Sequence, residues 1–185
     1  MIISPQRDCT WTYYQGRLSI NLTTDEGVSY LFKTHFDVES LYERPDVNTP
    51  FTIADAQLLT TYQDRVDKIL KDEGKALDLG LNAVACMRFV KPAIPTSRWY
   101  LPYGGRNVEF DDGDVVTIYT KSGNVGDCLV LTKCDADGLT RLMLLNRFLL
   151  VDGNKGVPLG QMIRVRPDCV CAFRSIQGGH VVRYA

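Results

Sequence analysis

Between residues 77 and 90 the chain carries an almost unbroken apolar pattern at helical spacing, followed directly by a lysine and a proline. Such a segment leaves the rest of the fold little freedom. With 3.6 residues per turn, Leu77, Leu81, Val84 and Arg88 lie along one side, while Leu79, Ala83, Met87 and Val90 take up the others. A helix that is apolar all round must be enclosed, so other elements have to cover it from several directions. Pro92 ends it, because proline lacks an amide hydrogen and its ring clashes with the preceding turn. Arg88 and Lys91 thus stand where a core helix reaches the surface. The plainest role for such cations is to offset the partial negative charge of the helix C-terminus, worth about 0.3–1 kcal/mol.

The segments before this helix predict a small mixed unit. Trp11-Thr-Tyr-Tyr14, a Gln15-Gly16 turn and the alternation of Leu18, Ile20 and Leu22 make a hairpin with one buried face, and residues 28–32 add a third strand. Residues 43–50, rich in proline, aspartate and asparagine, read as a loop. Thr52 and Asp55 have capping-box spacing, with Asp replacing the usual Glu. Leu59, Tyr62, Val66, Ile69 and Leu70 then recur as one helical stripe until about Lys71, and Glu73-Gly74 is expected to break the helix.

Beyond Pro95 the pattern changes to short apolar runs between turn signals. Gly104-Gly105, Asp112-Gly113, Ser122-Gly123, Asp137-Gly138 and Asp152-Gly153 separate candidate strands at 115–119, 129–132, 142–145, 148–151, 163–165 and 170–173. That spacing indicates a small all-β barrel or sandwich. The expected class is α+β: a mixed α/β domain over residues 1–94, with a hairpin-led sheet plus two helices, then a β-barrel-like domain over residues 95–185 with a tail frayed from Gln177-Gly-Gly179. Units this small have limited cores, so the two are expected to pack on each other across the bend at Pro92 and Pro95.

Bulk properties narrow the function only by exclusion. No run approaches the ~20 apolar residues that span a bilayer, and the first residues lack the charged region, apolar run and cleavage site of an export signal. Neither membrane insertion nor export is expected. The six cysteines follow no disulfide-framework spacing and read as small reduced apolar residues. Net charge is −1, but it is unevenly spread: residues 37–80 hold ten acidic and five basic side chains, whereas residues 141–185 hold seven basic and two acidic ones. Such asymmetry can steer an acidic partner or simply solvate a surface.

Catalytic and metal signatures are missing. Gly153-Asn-Lys-Gly156 has no phosphate-loop context and reads as a turn. His35 and His180 are isolated, which leaves a hydrolytic triad unsupported. Cys169 and Cys171 could share one strand face, but without a second pair or a spaced histidine they read as core. Asp111-Asp112-Gly113 reads as a turn rather than a calcium loop. No catalytic residue, cofactor or metal is expected. Cations interleaved with aromatics occur around Arg98-Trp99-Tyr100, at 103–106 and at Arg147-Phe148. These could stack on nucleic-acid bases, yet the same mixture marks protein-binding hot spots, and a pI near 6.1 disfavours nucleic acid.

Thr52-Ile-Ala-Asp-Ala56 with the amphipathic helix after it, Leu81-Asn-Ala-Val-Ala-Cys-Met-Arg-Phe-Val-Lys-Pro92 and Trp99-Tyr100 together resemble the Z-ring-associated cell-division protein family ZapC. Trp11-Thr-Tyr-Tyr14 and Val157-Pro-Leu-Gly-Gln161 extend the resemblance over most of the chain. It implies a cytoplasmic, noncatalytic protein at the mid-cell division site that binds the folded core of polymerised FtsZ, a tubulin-like GTPase, and favours bundling of its filaments. It also places Lys91 in a basic-rimmed apolar pocket. The expected partner-binding residues are Lys91, Arg88, Arg98, Trp99 and Tyr100, with Arg164 and Arg166 from the basic C-terminal part. No coiled-coil seam is present, so a monomer or weak dimer is expected. Two other readings stand beside this one: a nucleic-acid-binding module using the basic barrel, and a small-molecule binder or enzyme with a pocket between the halves.

Overall fold

In the computed structural model, residues 9–23, 27–46, 48–94, 96–102, 108–153 and 155–173 are described. The Gly104-Gly105 turn, the cation–aromatic run at 103–106, His180 and the tail from Gln177 lie outside them. The chain starts with the hairpin: Thr10–Tyr14 (β1) pairs antiparallel with Arg17–Thr23 (β2), Trp11 opposite Ile20 and Tyr13 opposite Leu18. Gln15 and Gly16 turn it with φ of 52° and 79°, the left-handed pair whose twist matches the strands. Trp11, Leu18, Ile20 and Leu22 are all buried, as alternation requires. The third strand continues past the predicted residues as Ser29–Asp37 (β3), and Thr49–Pro50 (β4) completes a sheet of order β3-β2-β1-β4.

Helix α1, Ile53–Leu70, starts at the predicted capping box. Thr52 Oγ1 accepts from the Asp55 amide at 3.2 Å, and Asp55 Oδ2 accepts from the Thr52 amide at 2.8 Å. The break that follows is not at Glu73-Gly74. Lys71 leaves the helix at φ 52°, and Asp72 caps the next helix by accepting from the Lys75 amide at 3.1 Å, so Gly74 belongs to the first turn of α2, Glu73–Phe89. A carboxylate N-cap outweighs one glycine, which costs a helix about 1 kcal/mol. Residues 79–86 of α2 are buried without interruption. A Cβ on Gly80 would come within 2.9 Å of Leu59 Cδ1, so this glycine lets α1 and α2 approach closely.

The second half is built from Val115–Tyr119 (β5), Val125–Thr132 (β6), Thr140–Leu144 (β7), Phe148–Asp152 (β8), Lys155–Pro158 (β9), Met162–Val165 (β10) and Val170–Ala172 (β11). Strand β9 was not among the predicted strands, because Gly156 and Pro158 break its apolar pattern. Cys169 ends the short turn before β11 rather than sharing its strand with Cys171, and both are buried. Five strands form one antiparallel sheet of order β10-β7-β6-β5-β11, and β8 and β9 form a separate hairpin. Among the described residues the barrel-like unit is thus a five-stranded sheet with β10 and β11 at its edges.

Both faces of this sheet are covered, which is why β6 and β7 read as nearly continuous apolar runs. On one face Val116, Ile118, Cys128, Val130, Leu142 and Leu144 pack with Leu149, Val151 and Val157 of the β8–β9 hairpin. The other face presents Leu129, Leu131 and Met143, which join Leu145 and Met162 in a single buried cluster with Trp11, Ile20, Leu59, Leu81 and Phe89. The Thr132 hydroxyl donates to the Met87 sulfur at 3.5 Å across this contact. Residues from both predicted domains thus share one core. The enclosure demanded by α2 comes from its own sheet, from α1 and from the second sheet. No helix among the described residues is long and apolar enough to cross a membrane.

Candidate functional site

Helix α2 stops at Phe89, ahead of the proline. Val90 turns extended and bridges Leu41, while the Tyr42 amide donates to the Phe89 carbonyl at 2.6 Å and the Lys91 amide to the Ser40 carbonyl at 2.9 Å. A residue before proline is pushed out of the helical region in any case. Lys91 is exposed, and its ammonium donates to the Glu39 carbonyl at 3.1 Å. It therefore caps the turn at Val38–Ser40 rather than its own helix. Tyr42, on the strand segment that meets Phe89, and Ile94, three residues past Lys91, are 80% and 84% exposed.

Arg88 points elsewhere. Its guanidinium pairs with the Asp55 carboxylate, donates to the Pro50 carbonyl at 3.0 Å and lies 5.0 Å from the Phe89 ring centre. Asp55 is buried and also receives the Trp11 indole N–H at 3.4 Å. Arg88, itself partly exposed, thus balances a buried carboxylate of the first unit.

The linker after Lys91 is tied to the second half. Arg164, 7% exposed, donates from Nη1 to the Ala93 carbonyl at 3.3 Å, from Nε to Asp135 at 2.8 Å and from Nη2 to Asp137 at 2.5 Å. Its own carbonyl accepts from the Thr96 amide at 2.9 Å. Next to it, the Arg166 amide donates to Ser97 Oγ at 2.8 Å, and the exposed Arg166 guanidinium pairs with Asp168 through bonds of 3.0 and 2.7 Å. Arg98 stacks 4.9 Å from the half-buried Trp99 ring, and the Lys155 ammonium lies 5.8 Å from the same ring. Tyr100 is wholly buried in the β-sheet core, and burial pushes its phenol up to about 12.

Burial works to raise the Asp135 carboxyl, but hydrogen bonds from the Leu139 amide, the Arg164 guanidinium and the Asp137 amide outweigh it and hold the group below the usual carboxylate range. A folded-state value below the unfolded one, about 3.9, stabilises at every pH above that value and is lost only as pH falls through the folded value. The Arg164 contacts are therefore expected to persist unchanged from about pH 5 to 8 and to fail only in stronger acid, below about pH 4. Arg164 and Asp135 mutants followed by thermal melts across this range check it.

Among the described residues no three side chains are grouped to hold a metal ion. An open groove of about 320 Å³ runs between α1 and the second sheet, with Arg65 and Lys68 beside Ile69, Phe110, Val115 and Phe173. It is the nearest counterpart to the pocket between the halves. The structure ties the linker, Arg98, Trp99, Arg164 and Arg166 together on the second half, leaves Lys91 on the first half bonded to Glu39, turns Arg88 to Asp55, and buries Tyr100. Sequence reasoning missed Tyr42 and Ile94, the Asp55 partner of Arg88, the Asp135 and Asp137 partners of Arg164, and Lys155 over Trp99. Asp55 carried a signal only as a cap; for the rest, the pairings are far apart in sequence and leave no local pattern.

These features define an α+β protein whose candidate site is an exposed surface of cations and aromatics at the junction of its two halves. Sequence comparison adds relatives. The family described as cell-division protein ZapC, N-terminal, matches residues 2–91. The chain is 29% identical over 158 residues to cell division protein ZapC of Vibrio vulnificus, covering 85% of this chain and 86% of that protein. It is 28% identical over 168 residues to that of Photobacterium profundum, at 91% and 82% coverage, and 32% identical over 100 residues to that of Proteus mirabilis, at 54% and 53%. Along most of its length the chain is thus similar to the ZapC cell-division proteins.

Proposed function

We propose that this protein is a noncatalytic accessory factor that binds FtsZ filaments at the division site, promotes their lateral association and stabilises them, thereby lowering GTP turnover indirectly. The observation that carries the reading is the Lys91 surface. An exposed cation fixed to a backbone carbonyl, with exposed Tyr42 and Ile94 on the chain segments that meet there and Arg98 and Trp99 at the far end of the linker, has the composition of a protein-binding hot spot. Similarity to the ZapC cell-division proteins supplies the cell-division setting, and the resemblance at Phe89-Val-Lys-Pro92 supplies the partner. Lys91, Arg98, Trp99 and Arg166 make the contact; Arg88, Tyr100 and Arg164 hold them in place.

Co-sedimentation with GTP-assembled FtsZ tests this directly. The protein is expected in the pellet, electron micrographs are expected to show bundles, and phosphate release is expected to fall. Binding should weaken as salt rises past the point where the Debye length drops below about 8 Å, and it should survive nuclease treatment. A protein that stays in the supernatant at every salt concentration would refute the reading, and loss of binding on nuclease treatment would favour the nucleic-acid alternative. Bundling by a monomer needs two contact surfaces; sedimentation showing a tight obligate dimer would replace the second surface by self-association.

A further inference from the structure

We infer that Arg164 is a positioning residue: it straps the linker between the two halves onto β10 and so fixes the geometry of the Lys91 to Trp99 surface. Resting on the proposed function for its partner, the inference deepens that reading by naming how the contact surface is held. Arg164 is almost fully buried and uses all three arms of its guanidinium on groups far apart in sequence. Nη1 reaches the Ala93 carbonyl in the linker, Nε the buried Asp135, and Nη2 the exposed Asp137. Arg141 also reaches Asp135, at 3.4 Å, so the buried carboxylate keeps one cation if Arg164 is lost.

The backbone completes the strap. The Thr96 amide and hydroxyl both point to the Arg164 carbonyl, at 2.9 and 3.4 Å, and Ser97 Oγ accepts from the Arg166 amide at 2.8 Å. These contacts fall on the segment between Lys91, anchored on the first half, and Arg98-Trp99, anchored on the second through the Lys121 amide on the Trp99 carbonyl at 2.8 Å. A linker held at both ends and in the middle presents its cations in one arrangement, which removes ordering cost from binding. The planar fork is what makes one side chain sufficient, and a lysine has no equivalent geometry.

Arg164→Lys and Asp137→Ala test the inference by hydrogen exchange on the full chain, with FtsZ co-sedimentation run in parallel. Arg164→Lys keeps the charge beside Asp135 but cannot reach Ala93 and both carboxylates together. Its amides from Thr96 to Tyr100 are expected to exchange about ten- to a hundredfold faster, with β6 and β7 unchanged, and Asp137→Ala should move the same amides by a smaller factor. FtsZ binding should weaken with them although Lys91 is intact. Parent-like linker exchange in Arg164→Lys, or faster exchange spread evenly through both sheets, overturns the strap. Loosened linker amides with parent-like FtsZ binding would overturn its role in positioning. Should the parent itself fail to bind FtsZ, the exchange arm still decides the strap, so the two failures are distinguishable.

Discussion

Lys91→Glu is expected to melt within a few degrees of the parent and yet to lose at least about 30-fold in affinity for FtsZ filaments. On the folding side little is at stake. Lys91 is exposed, and its ammonium makes one bond, to the Glu39 carbonyl; a surface hydrogen bond of this kind contributes about 0.5–1.5 kcal/mol. On the binding side, reversing a charge that is desolvated against an acidic partner costs about 2–5 kcal/mol. Lys91→Met removes the charge while keeping the stem and should fall between the two. Melting curves together with co-sedimentation check all three proteins, and a folded Lys91→Glu that pellets like the parent would remove Lys91 from the site.

Arg88→Ala should behave in the opposite way, with the loss appearing in stability. The partly exposed Arg88 pairs with the buried Asp55, and Asp55 is simultaneously the capping-box residue of α1 and the acceptor for Trp11. Removing the arginine leaves a buried carboxylate without its cation, which costs about 3–5 kcal/mol. Most domains have only about 5–15 kcal/mol in total, so the variant should unfold at markedly lower denaturant. Pairing Arg88→Met with Asp55→Asn should recover much of that loss, since replacing both members removes the unpaired charge. Denaturant melts of the single and double variants form the cycle. Arg88→Ala with parent stability but lost binding would instead assign the guanidinium to the partner.

The contrast between these two cations shows what local pattern can and cannot carry. Helical periodicity placed Arg88 and Lys91 at the same helix end, because spacing gives direction around an axis but not what lies beyond it. Arg88 turns inward because a carboxylate from the start of α1 lies there; Lys91 turns outward because the chain has already bent into an extended bridge with Leu41. The hairpin, the capping box and the all-round burial of α2 were legible, since each depends on neighbours within a few residues. The shared core was legible only as a requirement. That Leu129, Leu131 and Met143 would meet it depended on long-range sheet order. Arg164 and Tyr100 were legible as an arginine and a tyrosine in a basic, aromatic region, while their burial was set by the linker returning onto β10 and β5.

The enclosure of α2 bears on how the chain is made. The ribosome completes this helix at Phe89, but the sheet face that helps cover it is not finished until β10 supplies Met162. At about 5–20 residues per second, its apolar flank waits on the order of several seconds for that cover. During synthesis, the nascent N-terminal half is a sticky surface awaiting its lid.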